Sequence, residues 1–268
     1  MREVRFLRPT TLTDAVQLYR TTPGCRPLAG GTDLMVMLHA RTLKPTARAL
    51  LDLWSLKELK GIRVDGDSID VGATESYTGI IWSVDVRAHL PALVAAASTI
   101  GAAQIQNRGT LGGNLANASP AGDTLPVLLA YDAIVITDRR QIPIEQFFIG
   151  YRKTALECDE LITAIRFPLG REVLFRKVGT RAAQAISKVV MAVSFDPARI
   201  AIGSVADRPV RASRAEAALS AGNIAAAVEA VSEDIHPIDD VRSTAEYRRT
   251  VTRNVLRELL NRELRSSA

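Results

Sequence analysis

The chain has 268 residues, of which 47% are hydrophobic and 24% charged, and its formal net charge is +5. This composition is typical of a globular protein, and the length predicts two domains with enough residues to bury a core. The basic residues are spread along the chain without a recognised nucleic-acid-binding motif, so we expect no nucleic-acid partner.

The two cysteines, Cys25 and Cys158, are too few to hold an iron–sulfur cluster or a cysteine zinc site within this chain. The first residues lack the apolar stretch of a signal peptide, and no apolar run approaches the ~20 residues that span a bilayer. We therefore expect reduced thiols, no membrane span and a cytoplasmic protein.

The first quarter of the chain predicts short strands that alternate with helices. Residues 4–9 and 49–53 are expected as strands, and residues 25–31 (CRPLAGG) as a strand that runs into a glycine turn. Residues 11–22, capped by Thr10 or Thr11, and residues 33–40 are expected as helices.

The next part of the chain predicts a hairpin, two helices and two further strands. The hairpin covers residues 62–73, where two alternating stretches flank Asp65-Gly66-Asp67. The helices are predicted over 78–83 and 91–105, and the strands over 133–138 and 160–168.

The pattern changes beyond Pro168. VLFRKVG, VVMAVSF and ARIAIGSV are typical of strands in an antiparallel sheet. Helices are expected over residues 213–221, 224–232 and 244–264. We therefore place a domain boundary near Pro168, between a first α/β part and a second α+β part.

LAGGTDL, at residues 28–34, has the composition of an anion-binding turn. Adjacent glycines permit a positive φ and a close backbone approach, and the N–H groups of residues 30–33 could converge on one anion. The alternative is a plain strand-to-helix turn that uses the same glycines for its bend.

TLGGNLANASPAG, at residues 110–122, is uncharged and rich in small polar residues. We interpret it as a loop with many N–H groups to satisfy, either by local turns or by a bound diphosphate. Two such segments favour a dinucleotide, although neither matches G-x-G-x-x-G or the P-loop pattern.

No other constellation predicts chemistry. His39, His89 and His236 have no metal-ligand spacing, no G-x-S-x-G motif is present, and the acidic pairs resemble loop charges. Ligand-binding segments without an evident nucleophile or base are typical of a protein whose redox cofactor supplies the chemistry.

The segments at 29–34 and 104–123 together closely resemble the flavin-binding subunit of the molybdenum hydroxylases, the family of xanthine dehydrogenase and carbon monoxide dehydrogenase. The resemblance extends along essentially the whole chain and includes residues 6–15, 160–168 and 176–187. It implies an α+β fold. A two-lobed FAD-binding domain of the vanillyl-alcohol-oxidase type would be followed by a smaller α+β C-terminal domain with an antiparallel sheet.

The implied domains are residues 1–167, with lobes at about 1–55 and 56–167, and residues 168–268. The resemblance also implies a set of FAD-binding residues: Pro27, Leu28, Ala29, Gly30, Gly31, Thr32, Asp33, Leu34, Ile100, Thr110, Gly113, Asn114, Ser119, Asp123, Ile162 and Lys177.

Within this set, residues 28–34 would wrap the diphosphate, and Asp123 would bind a hydroxyl of the ribose or adenosine. Ile100 and Ile162 would contact the flavin. Lys177 falls where some family members place a lysine near the cofactor. A positive group there would stabilise the reduced flavin and raise its potential; the alternative is a lysine at the sheet edge facing water.

The partners follow from the same resemblance. A large subunit with molybdopterin would oxidise the organic substrate, and a small subunit would carry two [2Fe-2S] clusters. Electrons would pass to FAD on this chain and then to NAD, a quinone or oxygen. No catalytic side chain and no metal are expected here, and the two cysteines fit this division of cofactors.

The sequence departs from the family pattern in two places. Only Asp196-Pro197 separates two strands that relatives join by a longer hairpin, and residues 182–188 lack the acidic residues that NAD-using members carry. Two alternatives stay open: a stand-alone flavin oxidase with its own substrate pocket, and a degenerate scaffold that has lost its flavin.

Overall fold

The structure is a computed structural model that describes residues 4–40, 42, 49–181 and 184–266. Its first lobe is a parallel three-stranded sheet, ordered β1-β3-β2, with two helices. The elements are β1 (Arg5–Leu7), α1 (Leu12–Thr21), β2 (Cys25–Leu28), α2 (Leu34–His39) and β3 (Ala49–Asp52). Thr11 caps α1 by accepting a hydrogen bond from the Asp14 N–H at 3.1 Å.

The second lobe is built on an antiparallel five-stranded sheet ordered β4-β5-β10-β6-β7. Its strands are β4 (Ile62–Asp65), β5 (Ser68–Gly72), β6 (Ile134–Thr137), β7 (Gln141–Pro143) and β10 (Ile162–Pro168). A hairpin of β8 (Phe148–Gly150) and β9 (Lys153–Thr154) lies beside it.

The helices of this lobe are short, and a single 3-10 turn at Lys57–Leu59 precedes them. They are α3 (Tyr77–Trp82), α4 (Val84–His89), α5 (Pro91–Ser98), α6 (Ala103–Gln106), α7 (Leu111–Asn117), α8 (Leu125–Ala130) and α9 (Ile144–Phe147).

The last part of the chain is an antiparallel sheet ordered β11-β12-β13-β14 that carries helices. The strands are β11 (Val173–Val178), β12 (Val189–Phe195), β13 (Ala198–Gly203) and β14 (Val210–Arg211). The helices are α10 (Ser213–Ser220), α11 (Ile224–Ala230), a 3-10 turn at Val231–Glu233 and α12 (Ala245–Ser266). The short turn at Asp196-Pro197 joins β12 directly to β13.

Side-chain alternation along β12 explains how this sheet is held between two layers. Met191 and Val193 belong to the core shared with the C-terminal helices, whereas Ala192 belongs to the core of the second lobe. Helix α8 packs on β12 and β13 from that second side. A strand buried on both faces is continuously apolar, as VVMAV is.

The prediction of one helix over residues 91–105 is wrong. α5 ends at Ser98, and Gly101 has a φ of +51°, which the helix cannot continue through. The hydroxyl of Thr99 donates to the Ala96 carbonyl, and the Gln106 amide donates to the Ile100 carbonyl, so polar side chains stabilise the break.

The interpretation of residues 110–122 as a loop is also wrong over its first half. Residues Leu111–Asn117 form α7, which Thr110 caps by accepting a hydrogen bond from the Gly113 N–H at 3.1 Å. The helix ends at Ala118, which has a φ of +45°. Local propensity did not reveal this helix because two glycines lower it, and tertiary packing outweighs their cost.

The predicted fold class is confirmed: an α+β part of two lobes precedes a smaller α+β part with an antiparallel sheet. Buried apolar residues form three clusters, one for each lobe and one for the C-terminal part. Within the part of the chain described, no helix is long and apolar enough to cross a membrane.

Candidate functional site

A cavity of about 530 Å³ lies between the first lobe and the second. This volume is within the range of small-molecule and cofactor sites. The β2–α2 loop, helix α7 and the start of β10 form its walls. The predicted site residues that line it are Pro27, Leu28, Ala29, Gly30, Gly31, Thr32, Asp33, Leu34, Ile100, Thr110, Gly113, Asn114 and Ile162.

The β2–α2 loop presents unpaired backbone donors to this cavity. Among the described residues, none accepts a hydrogen bond from the N–H groups of residues 30–33. Asp33 stands at the N-cap position of α2, but its carboxylate makes no capping bond. Several free N–H groups at a helix start form an anion-binding site.

The glycines of this loop serve two purposes. A Cβ on Gly30 would lie 1.6 Å from the Arg108 carbonyl oxygen, so Gly30 allows the loop to pack on the segment before α7. Gly31 has a φ of +78°, a conformation that favours glycine. The first motif thus turns back on the second, and both reach the same cavity.

The start of α7 has no such free donors. The N–H of Gly112 donates to the Ala73 carbonyl at 3.0 Å, that of Leu111 to the Glu75 carbonyl and that of Gly113 to the Thr110 hydroxyl. The inference that residues 110–122 hold many unsatisfied N–H groups is therefore wrong for this end of the helix. α7 contributes its face to the cavity, and Gly113 leaves that face open, since a Cβ there would approach only Thr110 Oγ1.

The remaining walls are largely apolar. Ile100 follows α5, and Ile162 begins β10, so the two residues come from segments far apart in sequence. Ile105, Leu156 and Leu161 also line the cavity. Charged side chains, among them Arg152 and Glu160, line another part of the wall. An apolar section beside a loop with free N–H groups suits a ligand that has a flat aromatic part and an anionic part.

Ser119, Asp123 and Lys177 do not line the cavity. Lys177 Nζ, on β11, donates to Asp123 Oδ2 at 2.7 Å and to the Thr99 carbonyl at 3.2 Å, directly next to Ile100 in the chain. Lys177 therefore lies on the edge strand of its sheet, but its side chain is largely covered and paired with Asp123 rather than facing water.

Two opposing effects act on the pKa of the Asp123 carboxyl group. Burial raises the pKa of its carboxyl group above the ordinary value, and the charge and hydrogen bond of Lys177 only partly oppose that effect. Its second oxygen, Oδ1, is buried without a hydrogen-bond partner among the described residues. The pair lies behind the cavity wall and joins the second lobe to the C-terminal sheet.

Several lining residues escaped the sequence reasoning. Tyr77 is buried beside α7, and Arg152 reaches across to donate to Asn117 Oδ1 at 2.7 Å. Glu160 forms a hydrogen-bonded ion pair with Arg140, which lowers the pKa of Glu160 to about 2. Of these residues, only Arg152 has an unusual backbone conformation, a positive φ. No pattern in the neighbouring sequence predicts it.

The described residues contain no group of three or more histidine, cysteine or acidic side chains that could hold a metal ion. What the cavity offers instead is unpaired N–H donors, an apolar wall and a glycine face without a Cβ. These features fit a dinucleotide whose diphosphate meets the loop at residues 30–33.

Comparison with known proteins agrees with this geometry. The family described as FAD binding domain in molybdopterin dehydrogenase matches residues 2–170, and the CO dehydrogenase flavoprotein C-terminal domain matches residues 175–262. The chain is similar to the xanthine dehydrogenase FAD-binding subunit of Escherichia coli O157:H7, with 34% identity over 94% of each chain.

Two further similarities extend over nearly the whole chain. The glyceraldehyde dehydrogenase medium chain of Sulfolobus acidocaldarius is 31% identical over 94% of this chain and 95% of its own length. A solved structure of carbon monoxide dehydrogenase from Hydrogenophaga pseudoflava that lacks the Mo-pyranopterin moiety superimposes with a TM-score of 0.90. It has 30% identity, and the match covers 97% of this chain and 96% of that one.

Proposed function

The chain belongs to the family of FAD-binding subunits of the molybdopterin dehydrogenases, and we propose that it passes electrons from [2Fe-2S] clusters of a partner subunit to an external acceptor. Its cofactor is FAD, and it is one subunit of an oxidoreductase of the xanthine and carbon monoxide dehydrogenase type. The organic substrate is oxidised on another chain, so no substrate residue is assigned here.

The observation that carries the proposal is the row of free N–H donors at residues 30–33 in a cavity with apolar walls. When bound, FAD supplies the redox chemistry, which the side chains of this chain do not. The N–H groups of the β2–α2 loop would bind the diphosphate by hydrogen bonds, without a buried lysine. Ile100 and Ile162 would exclude water from the flat part of the ligand.

The FAD-binding residues remain a proposal. They fall into those that line the cavity and those that lie behind its wall. The lining residues of the β2–α2 loop and α7 would touch FAD directly. We assign Asp123 and Lys177 a place behind the wall, where their ion pair holds the Thr99 carbonyl next to Ile100 and would act on bound flavin only indirectly. Ser119 lies outside the cavity lining, but its hydroxyl accepts from the Ala121 N–H and shapes the turn after α7.

The partners implied by membership are a large molybdopterin subunit and a small [2Fe-2S] subunit, in a heterotrimer that works in the cytoplasm. The division into one domain over residues 1–167 and another over residues 168–268 is also part of this proposal. We favour a quinone or oxygen over NAD as acceptor, because residues 184–188 carry no acidic side chain. Residues 182 and 183 of that segment lie outside the described residues.

The alternatives receive less support. A stand-alone oxidase needs an acid or base facing the flavin. Of the acidic residues in the wall, Glu157 and Glu160 are paired with arginines, and Asp33 belongs to the loop that we assign to the diphosphate. A scaffold that had lost its flavin has no use for unpaired N–H groups in a cavity of this size.

A visible spectrum of the purified full-length chain tests the proposal. Bound oxidised flavin gives absorbance near ~450 nm, and FAD added to colourless protein should restore it. Co-purification with a molybdopterin subunit then separates the complex from a stand-alone oxidase. A chain that stays colourless and takes up no FAD would refute the proposed function.

A further inference from the structure

Asn114, on α7, turns the oxygen of its side-chain amide away from the cavity. Thr124 Oγ1 donates to Asn114 Oδ1 at 2.8 Å, and Thr124 is completely buried. A Cβ on Gly122 would come within 3.2 Å of the same oxygen, so that glycine makes room for it. The carbonyl end of the amide is therefore packed into the turn between α7 and α8.

The nitrogen of this amide is left free to donate a hydrogen bond to a ligand in the cavity. Asn114 lines the cavity, and none of the described residues accepts a hydrogen bond from its NH₂ group. An asparagine amide has nearly the same shape when it is rotated by half a turn, so its orientation depends on its hydrogen-bond partners. Here the partner of the oxygen is the Thr124 hydroxyl.

The direction of this hydrogen bond follows from its two groups. A threonine hydroxyl has one proton, and in the structure Thr124 gives it to the carbonyl oxygen of Asn114. The NH₂ group of Asn114 is then left at the cavity wall.

We propose that Thr124 is a positioning residue that presents the Asn114 NH₂ group as a hydrogen-bond donor to bound FAD. The proposal rests on the proposed function. Its physical basis is the match of polarity: the β2–α2 loop and Asn114 both offer N–H donors, and a dinucleotide offers mainly acceptor oxygens and nitrogens along its length. An amide turned the other way would set its oxygen against those acceptors.

The first experiment measures FAD affinity of the full-length chain by flavin fluorescence titration. We expect Thr124→Val to weaken FAD binding about tenfold, which is the effect of one lost hydrogen bond, and Thr124→Ser to stay within about twofold. Thr252→Val is the matched control, because Thr252 is also completely buried and its hydroxyl has no partner among the described residues.

A double-mutant cycle separates positioning from a structural role. If Thr124 acts through Asn114, Thr124→Val should weaken binding by less than about twofold in an Asn114→Ala background. An equal loss in both backgrounds would show that Thr124 only stabilises the fold, and the proposal would be overturned. Melting temperatures of all variants without FAD report the purely structural effect.

A second variant tests the donor without changing Thr124. Asn114→Asp keeps an oxygen for the Thr124 hydroxyl but offers the cavity an oxygen in place of the NH₂ group. We expect it to bind FAD no better than Asn114→Ala; tighter binding by the aspartate variant contradicts the donor role. A wild-type chain that takes up no FAD defeats the proposed function, whereas FAD binding with additive mutations defeats this inference alone.

Discussion

The glycines of this site lie against different neighbouring groups. Gly30 faces protein, because its Cβ would overlap the Arg108 carbonyl, and Gly112 faces the Ala73 carbonyl in the same way, at 2.6 Å. Gly113 faces the cavity, with Thr110 Oγ1 at 2.8 Å as its one close neighbour. The glycines of the site therefore include positions that the fold requires and one, Gly113, that leaves the cavity side of α7 open.

Gly113→Val tests this division at the residue scale. We expect the variant to lose FAD because its side chain fills the face of α7, while the chain still folds with a weakened cap at Thr110. The measurement is the ratio of flavin absorbance to protein absorbance after purification, together with far-ultraviolet circular dichroism.

Gly30→Ala is the companion variant, and we expect it to reduce the melting temperature of the FAD-free protein strongly.

If Gly113→Val purifies with a full complement of FAD, this face of α7 does not meet the cofactor.

Helix α7 shows at the element scale how a cap can connect stability and binding. Its capping hydroxyl belongs to a threonine in the cavity wall, whereas the equivalent hydroxyl of α1 belongs to Thr11, outside the cavity. Both hydroxyls accept from the N–H three residues later at 3.1 Å. The two caps therefore make a matched pair.

Thr110→Ala and Thr11→Ala should each reduce the free energy of unfolding by about 1 kcal/mol, the usual contribution of an N-cap. Urea denaturation of the FAD-free protein checks that figure. Only Thr110→Ala is expected to weaken FAD binding as well, since it frees the Gly113 N–H and loosens the start of α7. Equal FAD affinities in the two variants would contradict a role for the α7 cap in the site.

At the scale of the whole molecule, Asp132 ties the second lobe to the C-terminal sheet. Its carboxylate accepts hydrogen bonds from Arg171, Arg199 and Arg211, at distances between 2.7 and 3.2 Å. Burial would raise the pKa of Asp132, but the hydrogen bonds and charges of Arg199 and Arg171 outweigh it and hold the pKa below the ordinary value.

Because the pKa of Asp132 is lowered on folding, its carboxylate stabilises the protein above the unfolded pKa of about 3.9. That contribution disappears as the pH falls through the lower folded value. We expect Asp132→Asn to reduce the free energy of unfolding at pH 7 by about 1–3 kcal/mol, since the side chain is only partly buried.

The difference between wild type and Asp132→Asn should shrink in acid, which denaturant titrations at pH 7 and pH 3 measure. Asp207→Asn is the control, because this aspartate is half-exposed and pairs only with its neighbour Arg208. A difference between wild type and Asp132→Asn that does not depend on pH would exclude the ionised carboxylate as its cause.

Local chemistry determined much of this protein from its sequence. The β-branched, apolar runs VVMAVSF and ARIAIGSV, the cap at Thr11 and the turn at Asp65-Gly66-Asp67 predict elements that the structure contains. Each is specified by residues within a few positions of one another, so propensity and periodicity suffice. The glycines at residues 28–34 likewise predicted a turn before a helix with N–H groups that could meet an anion, and the described residues leave those N–H groups of residues 30–33 unpaired.

Tertiary structure alone decided what residues 110–123 became. The carbonyls of Ala73 and Glu75 take the first N–H groups of α7, and Lys177 comes from another sheet to pair with Asp123. Those partners lie 36 to 54 residues away, so no local pattern in the sequence contains them. The physical reason is general. The residues of a segment show which hydrogen-bond donors and acceptors it has, but only the tertiary structure determines whether protein or ligand pairs with them.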